Sequence, residues 1–562
     1  MMVTEQGYTV PDYLGAVSPE FFSCAKKAYE DYKADKEVLK NNIIDNYRWY
    51  KRQHGLKFDM EKNEPNASTE YIFNAIENKY ADAVDNYPEV SVLEREASDE
   101  NAALILSKIL PVQLEISDFK KAYKQNWRKK MKSGTGIYFI DYDRDLEQIM
   151  INSVNVLSFF ADVNVSDIQK SQFVFVTSVL DNEELKVRYP EFAALFDGDC
   201  TLETTEGSKV LKNRTEIIDC YYKKHKKVMG KIKTSVHLMK IARDVIIDAT
   251  EDIPGYEDGL YFHGKYPFVL DVMFPNEDSP FGFGVIDVVK GIQEYIDKVD
   301  SAVFKNTLIA SKTRYAVKDS AGINIEDVAN LDKDIFTFAG GNLSDIIKEF
   351  KTEGLPASVI EYRDRKINEL KEVIGNRDFQ QGGTAGGVTS GSAVELLQRS
   401  GEKLSRASND DSYDAYRELC IMVIELMRQF FDRERVYRVT GDDGKREFIS
   451  FSNSMFKDGL GFMDDSKSSL FDVSVTPQKS NPYTKQGTNA TMTQLWQLGV
   501  FNPQNLESSI ILIRNMQFEG KEKLLQDLQG KLDEVKMQQQ QMQQQQMQQQ
   551  QMQQQEMVAL PM

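Results

Sequence analysis

Six β-branched residues set the strongest constraint on how this chain can fold. Val285, Val289, Ile292, Ile296, Val299 and Val303 are spaced 4, 3, 4, 3, 4. The mean period of about 3.5 residues marks a sustained helical seam. Lys290, Lys298, Lys305, Asp287, Glu294 and Asp297 fill other positions. The spacing predicts one long helix over 283–312, amphipathic and built to pack against other helices.

The stretch after the seam is patterned just as strongly. Residues 313–355 read as a small insert, with strands at Arg314-Tyr-Ala-Val-Lys318 and Asp334-Ile-Phe-Thr-Phe338. Pro356 sits at a first helical position. The helix it opens, 356–375, carries Ile360, Ile367, Leu370 and Ile374 on one side and stops at Gly375-Asn376. Residues 376–392 then form a loop with five glycines and small polar side chains, among them Arg377, Gln380, Gln381, Thr384, Thr389 and Ser390. Ser392-Ala-Val-Glu395 is a capping-box pattern that starts another helix. Leu396, Leu397 and Leu404 continue it, Ser408-Asn-Asp-Asp-Ser412 predicts a kink, and Tyr413, Tyr416, Leu419, Val423, Met427 and Phe430 extend it.

The rest of the chain alternates in character. Residues 18–130 read mainly as helices, broken by an extended piece at Asn86–Leu93. From Gly134 the pattern turns to strands: Gly134–Tyr142, Val154–Phe160, Phe173–Thr177, Glu216–Tyr222 and Ser235–Ile247. Residues 434–477 return to strands and 485–536 to helix, with a last stripe at Leu524, Leu528, Leu532 and Val535. Residues 537–562 carry methionine every fifth position among glutamines. Steps of five rotate each Met by about 140°, so no apolar stripe forms. That tail reads as disordered, or as a helix held by identical neighbours. The fold class is α+β.

Composition narrows the function. With 69 basic and 87 acidic residues the net charge is −18, which argues against a broad basic face gripping DNA. No run approaches a membrane span of about 18 apolar residues. No signal sequence is evident at the N-terminus, so a cytoplasm-like medium is expected. The cysteines Cys24, Cys200, Cys220 and Cys420 are far apart, and the spacing predicts free, mostly buried thiols. His54, His225, His237 and His263 form no metal-binding pattern. Asp141, Asp143 and Asp145 resemble the start of a calcium loop, but Leu146 and Asn152 stand where it needs Gly and Glu. Alternation on a strand would put all three on one solvent face. Neither Gly134–Gly136 nor the loop 382–391 carries a phosphate-binding signature, so no cofactor, metal or catalytic residue is expected. Lys312, Arg314 and Lys318 cluster where the seam helix ends. They fit phosphate or partner contacts, and equally the preference of cations for helix C-termini.

The order of parts resembles the portal proteins, the head–tail connectors of tailed bacteriophages, in their podophage-like form. The resemblance runs over about residues 65–510. It is carried by Asn86-Tyr-Pro-Glu-Val90, Gly134-Thr-Gly-Ile-Tyr138, Gly264-Lys-Tyr-Pro-Phe-Val269, Pro280-Phe-Gly-Phe-Gly-Val-Ile286, Gly387-Val-Thr-Ser-Gly-Ser-Ala393 with Leu396-Leu-Gln398, Asn481-Pro-Tyr483 and Gly499-Val-Phe-Asn-Pro503. The methionine–glutamine tail is outside the shared pattern.

The resemblance implies a structural, non-enzymatic ring, usually twelve-fold, at one capsid vertex of the virion, assembled in the host cytoplasm. Double-stranded DNA would pass through it for packaging, retention and ejection. The major capsid protein, terminase, tail adaptors and a scaffolding protein are the implied partners, and a membrane is not. By position, residues 1–282 would be N-terminal helices and an α/β wing, 283–312 the first stem helix, 313–355 the clip, 356–375 the second stem helix and 376–392 the tunnel loop. Residues 393–484 would be a long helix with the remaining wing, 485–536 a helical crown and 537–562 the tail. The six tunnel-loop residues named above would face DNA with weak contacts, apart from a stronger one at Arg377. Lys312, Arg314 and Lys318 would lie where clip meets stem, and the seam would pack the stem helices around the ring. Two other readings compete: a non-viral oligomeric helical scaffold, and a metal-dependent nucleic-acid enzyme using the three aspartates.

Overall fold

The computed structural model describes residues 17–53, 69–94, 100–311, 355–375, 403–440, 446–453, 471–477, 492–499 and 506–516, single positions excepted, with short pieces elsewhere. In chain order, β1 (Met2–Val3) and β2 (Thr9–Val10) precede helices α1 (Pro19–Asp35), α2 (Glu37–Tyr50) and α3 (Tyr71–Asp85). Strand β3 (Pro88–Glu94) and helices α4 (Glu100–Ile116) and α5 (Phe119–Ser133) come next. The strand-rich middle holds β4 (Thr135–Asp143), β5 (Gln148–Val154), β6 (Phe159–Ala161), β7 (Phe173–Asp181), helix α6 (Asn182–Arg188), β8 (Cys200–Thr204), β9 (Gly207–Leu211), β10 (Arg214–Val228), β11 (Lys231–Ala242), β12 (Val245–Ala249) and β13 (Phe268–Val272). Then come α7 (Val285–Ala310), β14 (Arg314–Val317), β15 (Ile347–Phe350), α8 (Ala357–Ile374), α9 (Lys403–Phe430), β16 (Arg435–Thr440), β17 (Arg446–Phe451), β18 (Phe471–Pro477) and α10 (Leu506–Asn515). The architecture is α+β.

Two compact units divide the chain: residues 1–81, 114–430 and 456–468, and residues 82–113, 431–455 and 469–562. The first is layered. Its five-stranded antiparallel sheet runs β12-β11-β10-β7-β6, and its three-stranded sheet β13-β4-β5. Period-two alternation decides which side chain serves which layer. Phe173, Phe175, Cys220 and Tyr222 pack on one face with Phe21, Tyr29 and Tyr32 of α1. Val174 and Tyr221 point the other way, into a core shared with Ile137 and Phe268 of the three-stranded sheet and with Phe159 and Phe281. The far face of that sheet lies against α5 and α9, where Phe119 stacks on Tyr416 with ring centroids 5.1 Å apart.

Lys36 turns the chain between α1 and α2. Its buried ammonium donates to the carbonyls of Val156 and Phe159 and lies 4.3 Å from the Phe160 ring centroid. Burial, with Lys40 nearby, pushes its pKa down to about 7. In the second unit β3 pairs with β18 and β16 with β17, both antiparallel. Ser107 Oγ bridges the N–H and C=O of Val92 at 2.8 and 2.9 Å, and Tyr437 donates to Gln113 at 2.8 Å.

Several local expectations are revised. Val154–Phe160 is not one strand: Asn155 accepts from the Leu157 N–H at 3.1 Å and caps a short 3-10 turn, Val156–Ser158, between β5 and β6. Ser235–Ile247 is two strands, because Arg243 and Asp244 both take positive φ, 44° and 65°, in a two-residue hairpin turn. The polar run 408–412 does not interrupt α9, which is helical throughout. The three aspartates do not share a solvent face. Asp141 is enclosed, accepts from Tyr261 Oη at 2.6 Å, and has its pKa raised by burial. Asp143 accepts from the N–H groups of Asp145 and Leu146 in the turn after β4. Of the cysteines, Cys220 and Cys420 are buried, whereas Cys24 is exposed and Cys200 half-buried, and all four are free.

Candidate functional site

The Gly-rich motifs that frame α7 converge at its foot. Gly134 ends α5 in the left-handed region, φ 81°, and its N–H bonds the Lys130 carbonyl at 2.8 Å. Its own carbonyl accepts from the Met273 N–H at 2.8 Å. A Cβ on Gly134 would come within 2.3 Å of the Gly282 carbonyl, and one on Gly282 within 2.2 Å of the Phe274 carbonyl. Only glycine lets these backbones touch. Gly282 N–H donates to Thr135 Oγ1 at 3.0 Å, and Gly284 N–H donates to Asp287 at 2.9 Å as α7 starts.

Helix α7 then buries Val285, Ile286, Val289, Gln293, Ile296 and Asp297. Asp297 Oδ1 accepts from the Thr69 N–H and Oγ1, each at 3.0 Å, and from Gln293 Nε2 at 2.9 Å. These bonds tie α7 to the entry of α3. Higher up, α8 lies antiparallel to α7. Arg363 forks onto Asp300, with Nη2 to Oδ2 at 3.3 Å and a second bond from Nε to Oδ1, and Lys366 lies 5.9 Å from the Tyr295 ring centroid. Such bidentate geometry fixes register as well as adding energy.

Helix α9 is seated differently. Lys130 on α5 is fully buried and pairs with Asp271 of β13 at 2.7 Å. Its ammonium also donates to Ser412 of α9 and lies 3.7 Å from the Trp127 ring centroid. Ser412 donates to Asp271 at 3.0 Å, and Ser408 to the Met273 sulfur at 3.2 Å. Burial pushes the Lys130 pKa down and Asp271 opposes the shift. The polar run that suggested a kink is therefore the helix's anchor.

Of the seam, Val285, Val289 and Ile296 are buried within the protomer, while Ile292, Val299 and Val303 are half-buried. A second apolar set on α7 was not singled out by the 3.5-residue spacing: Val288, Tyr295, Phe304 and Leu308 are exposed. On α8, Ile360, Tyr362 and Val373 are exposed as well. Their signal lay in the residues left over once the seam was assigned. Arg314 opens β14 opposite Phe350 of β15, so the insert's first strand pairs with 347–350, and the expected strand at 334–338 lies outside the described residues. Lys312, Lys318, Arg377, Gln380, Gln381, Thr384, Thr389 and Ser390 lie outside them too, as does the tail beyond Gln538. Among the described residues no group of His, Cys, Asp or Glu could hold a metal, and no helix is long and apolar enough to cross a membrane.

The family described as phage P22-like portal protein matches residues 74–561. No curated protein matches the chain. The family match takes in the methionine–glutamine tail, which the motif-by-motif resemblance had left out. Since it spans most of the sequence, the chain belongs to the P22-like portal proteins, structural and non-enzymatic head–tail connectors of phages.

Proposed function

We propose that this protein assembles into a ring at one capsid vertex whose central channel carries DNA inward during packaging, retains it, and releases it at infection. In this reading α7 and α8 are the stem, the segment between them is the clip that meets terminase and then tail adaptors, and residues 376–392 are the tunnel loop. The observation that carries it is the family match over residues 74–561, a range that includes α7, α8 and α9. Two features support the assignment. The α7–α8 pair is clamped by Arg363–Asp300 and presents exposed apolar side chains on both helices, as a stem that packs against copies of itself requires. The glycine-rich segment offers amide and hydroxyl groups with one arginine, suited to DNA that must slide: each fixed cation repeated around a ring would add salt-dependent affinity. The channel also requires a separate ATPase, since the chain has no phosphate-binding signature.

Electron microscopy of the purified protein tests the reading first: it expects rings with a central hole and fails if none form. Deleting Gln380–Val388 tests the loop. Rings should still assemble while packaging or retention of DNA drops, and a deletion that blocks assembly would make the loop structural instead.

A further inference from the structure

We infer that the far end of the β10–β11 hairpin is a second nucleic-acid contact, one that binds the phosphate backbone of double-stranded DNA without regard to sequence and apart from the channel. Strand β10 pairs with β7 only over Arg214–Tyr222, and β11 pairs with β12 only over Met239–Ala242. Beyond Tyr222 neither strand has a further strand partner, and the two pair with each other from Lys223↔Val236 to Val228↔Lys231, with the Leu260 N–H donating to the Val236 carbonyl at 2.7 Å at the base of this stretch. The result is a two-stranded ribbon extending past the sheet, of a size that the major groove of DNA admits.

The ribbon is strongly basic in an acidic chain. Residues 223–233 contain six lysines, one histidine and no acidic residue, against a net charge of −18 overall. Lys226 and Lys233 are direct cross-strand partners, so they share a face, and like charges so placed destabilise a ribbon. A lone hairpin is marginal to begin with. Neighbouring carboxylates meet two of these lysines: Glu251 lies 2.6 Å from Lys224 and Asp258 3.8 Å from Lys226. Lys223 braces the base of the ribbon, bonded to Gln169 Oε1 at 3.1 Å and 4.4 Å from the Tyr266 ring centroid. His225, Lys226 and Lys227 are exposed.

The chemistry favours a polyphosphate over an acidic protein. Ile232, 75% exposed, is the exposed large apolar side chain of the described ribbon residues. Stable protein interfaces need an apolar or aromatic centre, and lysine is depleted there. Phosphate contact needs neither: cations on a projecting ribbon release counterions from DNA and add affinity contact by contact. The ribbon belongs to the five-stranded sheet and shares no residue with α7, α8 or the segment between α8 and α9. The inference rests on the portal reading only in that DNA is the polyanion at hand.

The test uses the full chain, as it assembles, and covalently closed circular DNA of mixed sequence, which has no end to thread through a preformed ring. Binding is measured between about 50 and 200 mM salt, the range in which phosphate contacts are lost. Wild-type protein should bind the circles. Lys226→Gln with Lys227→Gln should reduce the slope of log affinity against log salt by about 2, one for each contact. Lys27→Gln with Lys121→Gln, equal in charge but on α1 and α5, should leave the slope unchanged. Lys227→Glu alone is an independent check at an exposed position and should lower the slope by at least about 1. The inference is overturned if wild-type protein ignores circles at about 50 mM salt, or if the ribbon variants keep the wild-type slope. It is overturned equally if polyglutamate binds the ribbon and DNA does not displace it. The channel reading survives all three results, because linear DNA with free ends can still thread.

Discussion

Two long helices, α7 and α9, bracket residues 311–402, and their feet are fixed by opposite chemistry. Helix α7 is rooted by close backbone packing and apolar burial, with Ile296 fully buried, and its buried polar groups bond around Thr69, Gln293 donating and Asp297 accepting. Helix α9 is rooted by a buried ion pair, Lys130–Asp271, that reaches it through Ser412. The two differ in how they fail. Apolar burial is lost in proportion to the atoms removed. A buried pair is lost all at once, because the surviving charge has nowhere to go. The segment between α8 and α9 thus leads into a helix held in place by a contact that either forms or does not.

The sharpest break in this comparison is Asp271→Ala. It strands the Lys130 ammonium, and we expect a loss of about 3–5 kcal/mol, read as a fall in Tm. The companion variant Lys130→Met with Asp271→Leu should recover most of that loss, since a packed apolar pair of similar volume replaces the ions. If the double variant is as unstable as Asp271→Ala, the α9 foot depends on hydrogen bonds to Ser412 rather than on charge compensation. Next in size is Ile296→Ala at the α7 foot, expected to cost about 2–5 kcal/mol in denaturant unfolding. No second substitution should rescue it other than one that refills the space. Smaller again is Asp297→Ala. It removes the acceptor for the Thr69 N–H and for Gln293, for about 1–3 kcal/mol, and hydrogen exchange should report it as faster opening at the start of α3.

Distance along the chain decides how much of this was legible in the sequence. The bounds of α7 and α8 could be read because their signals are local: a seam of period about 3.5, Pro356 at the entry, Gly375 at the exit. Strand β4 was announced by Gly134 and the aromatic run after it. The α9 foot was not legible. Ser408 and Ser412 look like helix weakeners until their partners are known, and Lys130 is 282 residues away from Ser412. Asp141 misled for the same reason, since Tyr261, which closes over it, lies 120 residues on. The ribbon was half legible. Its lysines are plain in the sequence, but only the sheet pairing tells that β7 and β12 stop short of them.

The smallest expected effect on the protomer is also the one that ties the comparison to assembly. Beyond Asp297 no described residue of α7 is buried, and Phe304 and Leu308 stand 50% and 41% exposed on an otherwise regular helix. The same helix is thus buried in its own protomer at one end and carries exposed apolar side chains at the other. Exposed substitutions away from special contacts change stability by about 0.5 kcal/mol or less, so Phe304→Ala with Leu308→Ala should leave the unfolding of dissociated protomers nearly unchanged. If the α7–α8 pair packs against copies of itself, the same variant should shift the population from rings to smaller species in analytical ultracentrifugation, and more so on dilution. A loss of protomer stability comparable to that of Ile296→Ala would mean that the upper half of α7 is held within the chain after all. Unchanged assembly with unchanged stability would take these two side chains out of the ring contacts and leave Val288 and Tyr295, nearer the foot, as the face to test next.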